Sequence, residues 1–452
     1  MTGPSGDGAS PTGPALGTVP PPARTPAPPV PPALAAALEA ELGAAVGLRH
    51  ALHADPRVSG DEADSRDAVA AALGAPLEPV ADTGGLLRLG GPGPAVAVRA
   101  ELDALPVVEQ TGLPFSATGP AAHVCGHDVH VAALVALARA VAVTGPEVLP
   151  APLLAVFQPR EEKAPSGAAD VVASAAFRAH TPAAVLGVHV QPELPRGVVS
   201  ARPGPVNASA DEIEITVHGR AGHGGYPHRT RDPVLALAQV VVSLQHVVSR
   251  RVNPLEAGVV TIGQMTAGSA PNVVPAEATA RGTVRALDAD RDEILAAVRD
   301  VVEHTAAAHG CTGEVRVVPN EPAVVNDDRL ASAVAASLGG RRRGERAPAG
   351  LVLDTGFRSC GADDFSHYAA GEDAPPDGPN GSSSAPLRLP AMMLFVGTAD
   401  PDAALGSAPG LHHPAFSPDD AMVGEVARAL LAAVVAAGHE ITTPPAPPQE
   451  SR

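Results

Sequence analysis

The spacing of apolar side chains predicts helices that alternate with strands through the first half of this chain. Leu34, Leu38, Leu42 and Val46 recur at helical intervals and predict a first helix from Ala33 to Leu52. Further helices are predicted at 62–73 and 132–143, and short buried strands at 95–102, 153–157 and 184–190. This alternation predicts a largely parallel sheet covered by helices on both faces.

The pattern changes at Asp211, where apolar and polar residues begin to alternate as in a half-exposed strand. From there, strands are predicted at 212–217, 258–265, 276–285 and 314–318, and helices at 233–248 and 289–309. This order of elements predicts a small α+β domain with an antiparallel sheet. We expect it to be an insertion, because the earlier pattern resumes after Pro322 with a strand at 392–396 and a helix at 422–437.

The predicted fold class is therefore α/β, with a second, smaller α+β domain inserted into the first. The larger domain, whose mostly parallel sheet is flanked by helices, would comprise residues 33–210 and 322–440, and the inserted domain residues 211–321. Segments rich in Pro, Gly, Ser or Arg are expected to lack packed structure. These segments are two disordered tails at 1–32 and 441–452, a basic loop at 341–349 and a low-complexity insertion at 370–389.

The amino-acid composition limits the kinds of protein that this chain can be. The chain has 452 residues, 45% of them hydrophobic, which is enough for two domains. Aromatic residues make up only 2%, so the core must be aliphatic. A net charge of −18 argues against a nucleic-acid or anionic-membrane partner, because such a chain repels phosphate at long range.

Cysteine usage and the lack of targeting signals predict a cytoplasmic protein. Cys125, Cys311 and Cys360 are odd in number and widely spaced, which suits a reducing compartment better than a disulfide framework. The N-terminal region shows no apolar segment behind basic residues. We also expect no apolar run long enough to span a bilayer, and hence no membrane partner.

One stretch, His123–His130, concentrates side chains that bind borderline-soft divalent metals, with three imidazoles, a thiol and a carboxylate. Cys125 and His127 can converge on a loop, where Gly126 permits a tight backbone. Asp128 stands where an N-cap would start the next helix. The alternative interpretation is a loop that leads into a helix and contains a buried thiol and a capping aspartate.

Residues beyond two predicted strands could complete such a site. Glu161 and Glu162 follow the strand at 153–157, and His189 lies near the end of the strand at 184–190. Ligand sites of parallel sheets lie at these ends. One carboxylate could bind a metal while the other takes a proton from water. The alternatives are a solvated turn for the glutamates and a satisfied core histidine for His189.

Two loops carry further histidines. The glycine-rich loop at 219–228 contains His223, and the loop at 411–416 contains His412 and His413. The first loop is either a simple turn or an arm that stabilises an oxyanion after domain or subunit packing. Each of these signals is weak by itself, so the order of the motifs along the chain is the stronger observation.

Taken in order, these residues resemble the M20 metallopeptidase/amidohydrolase superfamily, and within it the branch of hippurate hydrolases and auxin–amino-acid conjugate hydrolases. The resemblance extends over about residues 34–438, and chance rarely orders so many short motifs. The motifs are Leu52–Pro56, Arg99–Pro106, His123–His130, Glu161–Glu162, His189, Ala221–His228, Arg231–Pro233, Asn272–Pro275, Gly282–Arg285, Asp363–Phe365 and His412–Phe416.

The resemblance implies a site for two divalent metal ions, which could be Mn, Zn, Co or Ni. Glu161 would be the general base. Asp103 would support the metal ligands from behind. His123, Asp128 and His130 would position the ligands or cap the helix that follows. The ligands would be Cys125, His127, Glu162, His189 and His412.

The same resemblance implies an activity and an assembly. The activity would be that of a metal-dependent amidohydrolase that cleaves N-acyl amino acids or related small amide conjugates. His223, in an inserted lid or dimerisation domain, would reach the tetrahedral intermediate in the partner subunit of a homodimer. Asn272 and Arg285 would bind the substrate carboxylate. The alternatives are a dipeptidase or carboxypeptidase of the same superfamily, and a non-catalytic metal- or ligand-binding scaffold.

Overall fold

The computed structural model describes residues 28–339, 351–370, 387–402, 404 and 406–443. The predicted loop at 341–349 lies outside this range. So do most of the predicted insertion at 370–389 and most of both predicted tails. The last helix runs to Thr442, two residues into the range predicted as the C-terminal tail.

Each predicted helix and strand is present, with ends that differ by a few residues. The helices are Pro32–Ala54 (α1), Ala63–Leu73 (α2), His127–Thr144 (α3), Gly167–Ala173 (α4), Ala175–Ala179 (α5), Pro233–Arg250 (α6), Arg291–Ala308 (α7), Asp328–Ser337 (α8), Ser366–Ala369 (α9) and Ala421–Thr442 (α10). The strands are Glu78–Val80 (β1), Gly84–Leu89 (β2), Ala95–Glu101 (β3), Leu153–Gln158 (β4), Pro182–Pro195 (β5), Val198–Ser200 (β6), Gly204–Asn207 (β7), Ser209–His218 (β8), Gly222–His223 (β9), Gly258–Ala267 (β10), Val273–Val274 (β11), Glu277–Ala286 (β12), Thr312–Glu321 (β13), Val324–Asn326 (β14), Val352–Asp354 (β15) and Ala391–Ala399 (β16).

An eight-stranded sheet with the order β1-β2-β4-β3-β5-β16-β6-β15 forms the centre of the molecule. The pairs β4–β3, β3–β5, β5–β16 and β6–β15 are parallel, and the other three are antiparallel. This confirms the predicted α/β class with a mostly parallel sheet. The parallel strands β3 and β4 are buried along their whole length, which explains their largely apolar sequences.

Helices cover both faces of this sheet. On one face α1, α3, α8 and α10 pack against alternate residues of β3, such as Val96 and Val98. On the other face α4, α5 and α9 pack against Ala97 and Leu154. Ala, Val and Leu dominate both clusters, so the aliphatic core expected from the composition is confirmed.

The segment from β8 to β13 forms a second sheet with its own core. Its strands have the order β10-β12-β8-β13 and are all antiparallel. Helices α6 and α7 pack on it through residues such as Leu237 and Val298. Asp232 caps α6 by accepting hydrogen bonds from the amides of Val234 and Leu235. The flanking strands β7 and β14 pair with each other, so the chain leaves and returns side by side.

Three described helices, α3, α6 and α10, are long and apolar enough to cross a membrane by length and composition alone. The expectation that no apolar run reaches this length is therefore wrong. Within the fold, 78% of α3 and 83% of the apolar window of α10 are buried, because both helices pack in the core of the larger domain. Only 33% of α6 is buried, and Leu235 and Val242 on its outer side are exposed.

Candidate metal centre

Cys125 and His127 are placed by the turn that begins α3. The helix starts at His127, five residues before the predicted start, and Gly126 is its N-cap. Gly126 has a φ of +89°, and a Cβ there would lie 2.5 Å from Val190 Cγ2, so glycine is required. The turn places Cys125 Sγ 3.4 Å from His189 Nε2.

His189 lies inside β5, which runs further than predicted, to Pro195. The pairing of β3 with β5 ends at Arg99 and Gly187, so His189 lies two residues beyond the last pair on that side, while on the other side it pairs with Phe395 of β16. This is the edge of a parallel sheet where ligands bind. The ring Nδ1 is 2.7 Å from the Val190 carbonyl, which leaves Nε2 directed at Cys125.

Glu161 and Glu162 face the start of α3. Glu161 Oε2 and Glu162 Oε1 lie 3.8 and 3.9 Å from His127 Nε2. Their side chains are only 12% and 9% exposed, which excludes a solvated turn. Glu162 Oε1 is also 3.4 Å from His412 Nε2.

His412 reaches this cluster from the loop before α10. Its φ of +66° is uncommon for a residue other than glycine. The conformation is held by a 2.8 Å hydrogen bond from its amide to the carbonyl of Val124, directly before Cys125. The neighbouring His413 uses its Nδ1 to accept a hydrogen bond from the Ala415 amide in a local turn. His412 is therefore the histidine that meets Glu162.

The structure thus brings all five predicted ligands together. Their ligand atoms form overlapping sets within 4.8 Å, one of Cys125, His127 and His189 and another of Cys125, Glu162 and His412. His127 Nε2 and Glu162 Oε1 are buried and have no hydrogen-bond partner among the described residues. Orphaned buried polar atoms are rare in proteins unless something binds them. A thiol, three imidazoles and a carboxylate in this arrangement fit divalent metal ions.

The electrostatics of the cluster also favour cations. Burial raises the pKa of the Cys125 thiol, and the charges of Glu162 and Glu161 raise it further. Burial and the charge of Glu162 likewise raise the pKa of Glu161 well above its usual value. Burial lowers the pKa of His127, but the surrounding carboxylates, Glu101 foremost, outweigh it and raise the value to about 10. The site therefore carries surplus negative charge that protons or metal ions must balance.

Asp103 lies directly behind these residues. Its Oδ2 accepts hydrogen bonds from Ser59 Oγ at 2.7 Å and from the Glu162 amide at 2.9 Å. Its carbonyl oxygen is 2.9 Å from His127 Nδ1. One residue therefore fixes the backbone of Glu162 and the ring of His127, which is the arrangement that metal-binding histidines usually have.

Asp128 does not cap α3, so that interpretation is wrong. The helix begins two residues earlier than a cap at Asp128 would allow, because Gly126 makes the turn. The buried Asp128 carboxylate instead accepts a hydrogen bond from Arg49 Nε at 3.1 Å and lies 2.9 Å from His53 Nδ1. It ties α1 to the first turn of α3, behind His127.

A cavity of about 400 Å³ opens in front of the cluster. Arg285, near the end of β12, lines it together with Cys125 and Glu161. His223 and Asn272 are not among its lining residues in the described part of the chain. They lie next to each other in the β9–β11 ribbon, where the Gly224 amide donates to the Asn272 carbonyl at 2.8 Å. Of Arg285, His223 and Asn272, only Arg285 lines the cavity within one chain.

A buried ionic cluster that the sequence motifs did not predict lies behind Glu161. Arg99 is fully buried, and its Nη2 donates to Asp363 Oδ1 at 3.0 Å and to Asp364 Oδ1 at 2.6 Å. Its Nη1 donates to Glu101, whose other oxygen is 2.8 Å from His130 Nδ1. The available signal was two charged residues inside the apolar strand β3, since a buried charge requires a partner.

Comparisons with known proteins show the family of this chain. The model of peptidase family M20/M25/M40 matches residues 97–436. The N-acetylcysteine deacetylase of Bacillus subtilis is 32% identical over 384 residues, which is 83% of this chain and 92% of that protein. The N-acetyldiaminopimelate deacetylase of Exiguobacterium sibiricum is 32% identical over 329 residues, which is 72% and 79% of the two chains.

A solved structure leads to the same family. The YXEP protein of Bacillus subtilis, described as a dinuclear metal-binding peptidase of the M20 family, superposes with a TM-score of 0.70 at 27% identity. The match covers 88% of this chain and 98% of that one. The narrower branch of hippurate and auxin-conjugate hydrolases stays a prediction. The chain belongs to peptidase family M20/M25/M40 and is a metal-binding hydrolase that acts on amide bonds.

Proposed function

We propose that this protein removes the acyl group from N-acyl amino acids as a metal-dependent amidohydrolase. The observation that carries the proposal is the convergence of five ligand side chains, with Glu161 beside them, on a cavity lined by Arg285. The names of the two deacetylases that resemble this chain support it. The ligands would be Cys125, His127, Glu162, His189 and His412, and they would hold two divalent ions, Mn, Zn, Co or Ni.

Glu161 would move the proton in this reaction. Bound divalent ions lower the pKa of water and polarise a carbonyl oxygen. Glu161 would accept the proton of the attacking water and then donate it to the nitrogen of the leaving amine. Asp103 would keep the backbone of Glu162 in place meanwhile.

Arg285 would bind the carboxylate of the amino-acid half, because a guanidinium can pair with a carboxylate through two hydrogen bonds. The cavity of about 400 Å³ is large enough for a small acylated amino acid. His223 lies in β9, and Asn272 lies directly before β11, which pairs with β9. Both residues would act in a neighbouring site. His223 is exposed and so can donate to an oxyanion outside its own chain.

We propose a homodimer formed through the inserted segment, in which His223 of each chain serves the partner's site. The exposed apolar residues Leu235 and Val242 on α6 support such a contact. Mixing Glu161→Gln and His223→Ala proteins tests it. Each variant alone should be inactive, while the mixed dimer regains one intact site. Full activity in a protein that light scattering shows to be a monomer would contradict the dimer. So would the absence of recovered activity on mixing.

The activity itself is tested by a substrate panel. Protein freed of metal with a chelator should regain hydrolysis of N-acetyl amino acids when Mn, Zn, Co or Ni is added. Hydrolysis of dipeptides without N-acetyl amino acids would assign a dipeptidase instead. Metal binding with no turnover on either class would assign a binding scaffold, since a fold alone does not establish activity.

A further inference from the structure

Residues 159–167, here called the glutamate loop, carry Glu161 and Glu162 between β4 and α4. The two ends of the loop touch each other. The Gly167 amide donates to the Arg160 carbonyl at 3.0 Å. A Cβ on Gly167 would lie only 1.7 Å from the Pro159 carbonyl oxygen, so only glycine permits this closure. The direction of both glutamates therefore depends on how these ends are held.

One carboxylate, that of Asp364, binds both ends of the glutamate loop. At the first end, Gln158 Nε2 donates to its Oδ1 and Oδ2 at 2.9 and 2.8 Å. At the second end, Ser166 Oγ and the Ala168 amide donate to Oδ2 at 2.8 and 3.1 Å. Ser166 is the N-cap of α4 but makes no capping bond with its side chain. Its hydroxyl is directed to Asp364 instead.

The position of Asp364 is in turn fixed by Arg99. Arg99 Nη2 donates to Asp364 Oδ1 at 2.6 Å, and Arg99 Nε donates to Gln158 Oε1 at 3.0 Å. The Tyr368 hydroxyl donates to the same Gln158 oxygen at 3.0 Å. Arg99, Asp364 and Tyr368 are all buried. Buried polar groups that satisfy one another in this way have one well-defined arrangement.

We propose that Asp364 is the positioning residue of the glutamate loop. It holds the loop closed, so that Glu162 points to the ligand cluster while Glu161 is placed for proton transfer. Asp364 borders the cavity, but both of its oxygens already accept hydrogen bonds, so we assign it to the loop and not to the substrate. The roles of the two glutamates rest on the proposed function, whereas the closure of the loop does not.

Asp363→Asn is the matched control for Asp364→Asn. Each substitution removes one buried carboxylate that accepts a hydrogen bond from Arg99 Nη2. Within the described part of the chain, Asp363 makes no hydrogen bond to the loop, and its other bond is to the Phe365 amide. The pair of variants therefore separates the loss of loop anchoring from the loss of charge.

Hydrogen exchange of a peptide covering residues 158–168, measured on metal-free protein, is the first readout. Asp364→Asn should speed exchange of this peptide, including the Ala168 amide, because an asparagine cannot accept bonds from all four donors. Asp363→Asn should leave exchange of the peptide as in the wild type. Equal exchange in the two folded variants, fast or slow, would overturn the proposal.

Turnover gives the second readout. Asp364→Asn should lower kcat about 10–100-fold, the usual effect of losing a residue that orients a metal site, with KM for an N-acetyl amino acid changed less than about threefold. If this variant fails to fold, Ser166→Ala removes a single anchor at a half-buried position and should produce the same two effects more weakly. Wild-type exchange and kcat in Ser166→Ala would then overturn the proposal.

A double-variant cycle shows whether Asp364 acts through the loop. Ser166→Ala should lower kcat in the wild type but not in the Asp364→Asn background, because the bond it removes is already lost. Independent, multiplying effects would overturn the proposal. If the wild type hydrolyses no N-acetyl amino acid, the proposed function fails, and the exchange experiment still decides the role of Asp364.

Discussion

Arg49 Nε donates to Asp128 Oδ2 at 3.1 Å, and neither side chain has any exposure to solvent. Through this bond α1 holds the first turn of α3, next to His127. The same guanidinium donates to the Pro418 carbonyl at 2.6 Å, in the segment that follows His412. One buried cation therefore joins three parts of the chain, two of which carry predicted metal ligands.

We expect Asp128→Asn to destabilise the fold by about 1–3 kcal/mol, because Arg49 and His53 lose a buried carboxylate while Arg49 keeps its ion pair with Asp420. The free energy of unfolding in urea measures this. The surface pair Arg428–Glu39 provides a control, and Glu39→Gln should cost only about 0.2–1 kcal/mol. Similar losses in the two variants would show that the buried pair has no special weight.

His53 should make stability depend on pH. Burial lowers the pKa of His53, but hydrogen bonds and charges, first of Asp128 and then of Glu109, outweigh burial and raise it above 6.5. Folding therefore favours the protonated imidazole. This stabilisation is complete below the unfolded-state value of 6.5 and is lost as the pH rises through the folded-state pKa.

Unfolding in urea, measured below and above pH 6.5, tests the direction of this change in stability. As the pH rises above 6.5, the free energy of unfolding of the wild type should fall by more than that of His53→Gln, which has no titrating ring. A wild type and variant with parallel pH profiles would show that His53 does not contribute.

Glu161→Gln should separate catalysis from metal binding. We expect kcat on an N-acetyl amino acid to fall about 10²–10⁴-fold, the usual loss for a general base, with metal content unchanged. Glu162→Gln should lose bound metal as well, because Glu162 Oε1 faces both His127 and His412. Elemental analysis of the dialysed proteins measures the difference. Retained activity in Glu161→Gln would remove it from the proposed mechanism.

The two adjacent histidines before α10 should behave differently. His412→Ala removes the ring that lies 3.4 Å from Glu162 and should weaken metal binding by at least about 10-fold. His413→Ala removes only the acceptor of the Ala415 amide in a local turn, so metal affinity should stay near the wild-type value. Metal titration by calorimetry compares them, and the reverse order would reassign the ligand.

Arg285→Lys should raise KM for N-acyl amino acids about 10–100-fold, because a lysine cannot form the two parallel hydrogen bonds of a guanidinium to a carboxylate. Arg281→Lys, on the same strand but paired with Glu212, is the control and should leave KM unchanged. Initial rates over a range of substrate concentrations give both values. An unchanged KM in Arg285→Lys would place the substrate carboxylate elsewhere.

The elements that the sequence predicted are those whose pattern of apolar residues lies within one short stretch of chain. The periodicity of α1 and the apolar runs of β3 and β4 correspond to the observed elements, because burial on one or both faces determined those residues. Strands β1 and β2 were missed, since the first has three residues and the second begins with two glycines, which rarely favour strands. The early start of α3 was missed because its first turn is polar, although it is buried.

The same distinction applies to the site. The five predicted ligands each lie in a short motif, and the structure brings their side chains together, although the motifs alone do not show that they bind metal. The bond between Arg99 and Asp364 joins residues 265 positions apart, and no local pattern indicates which distant carboxylate will meet a buried arginine. The link between Arg49 and Asp128 escaped prediction for the same reason.

The buried hydroxyl of Tyr368 gives the protein an intrinsic optical probe. The chain has no tryptophan and two tyrosines. Tyr226 is exposed beside His223, and Tyr368 is bonded to Gln158 at the start of the glutamate loop. In Tyr226→Phe protein, all tyrosine emission would come from a single ring packed between Phe177 and Phe365. Loop closure could then be followed in solution by fluorescence, without an attached dye.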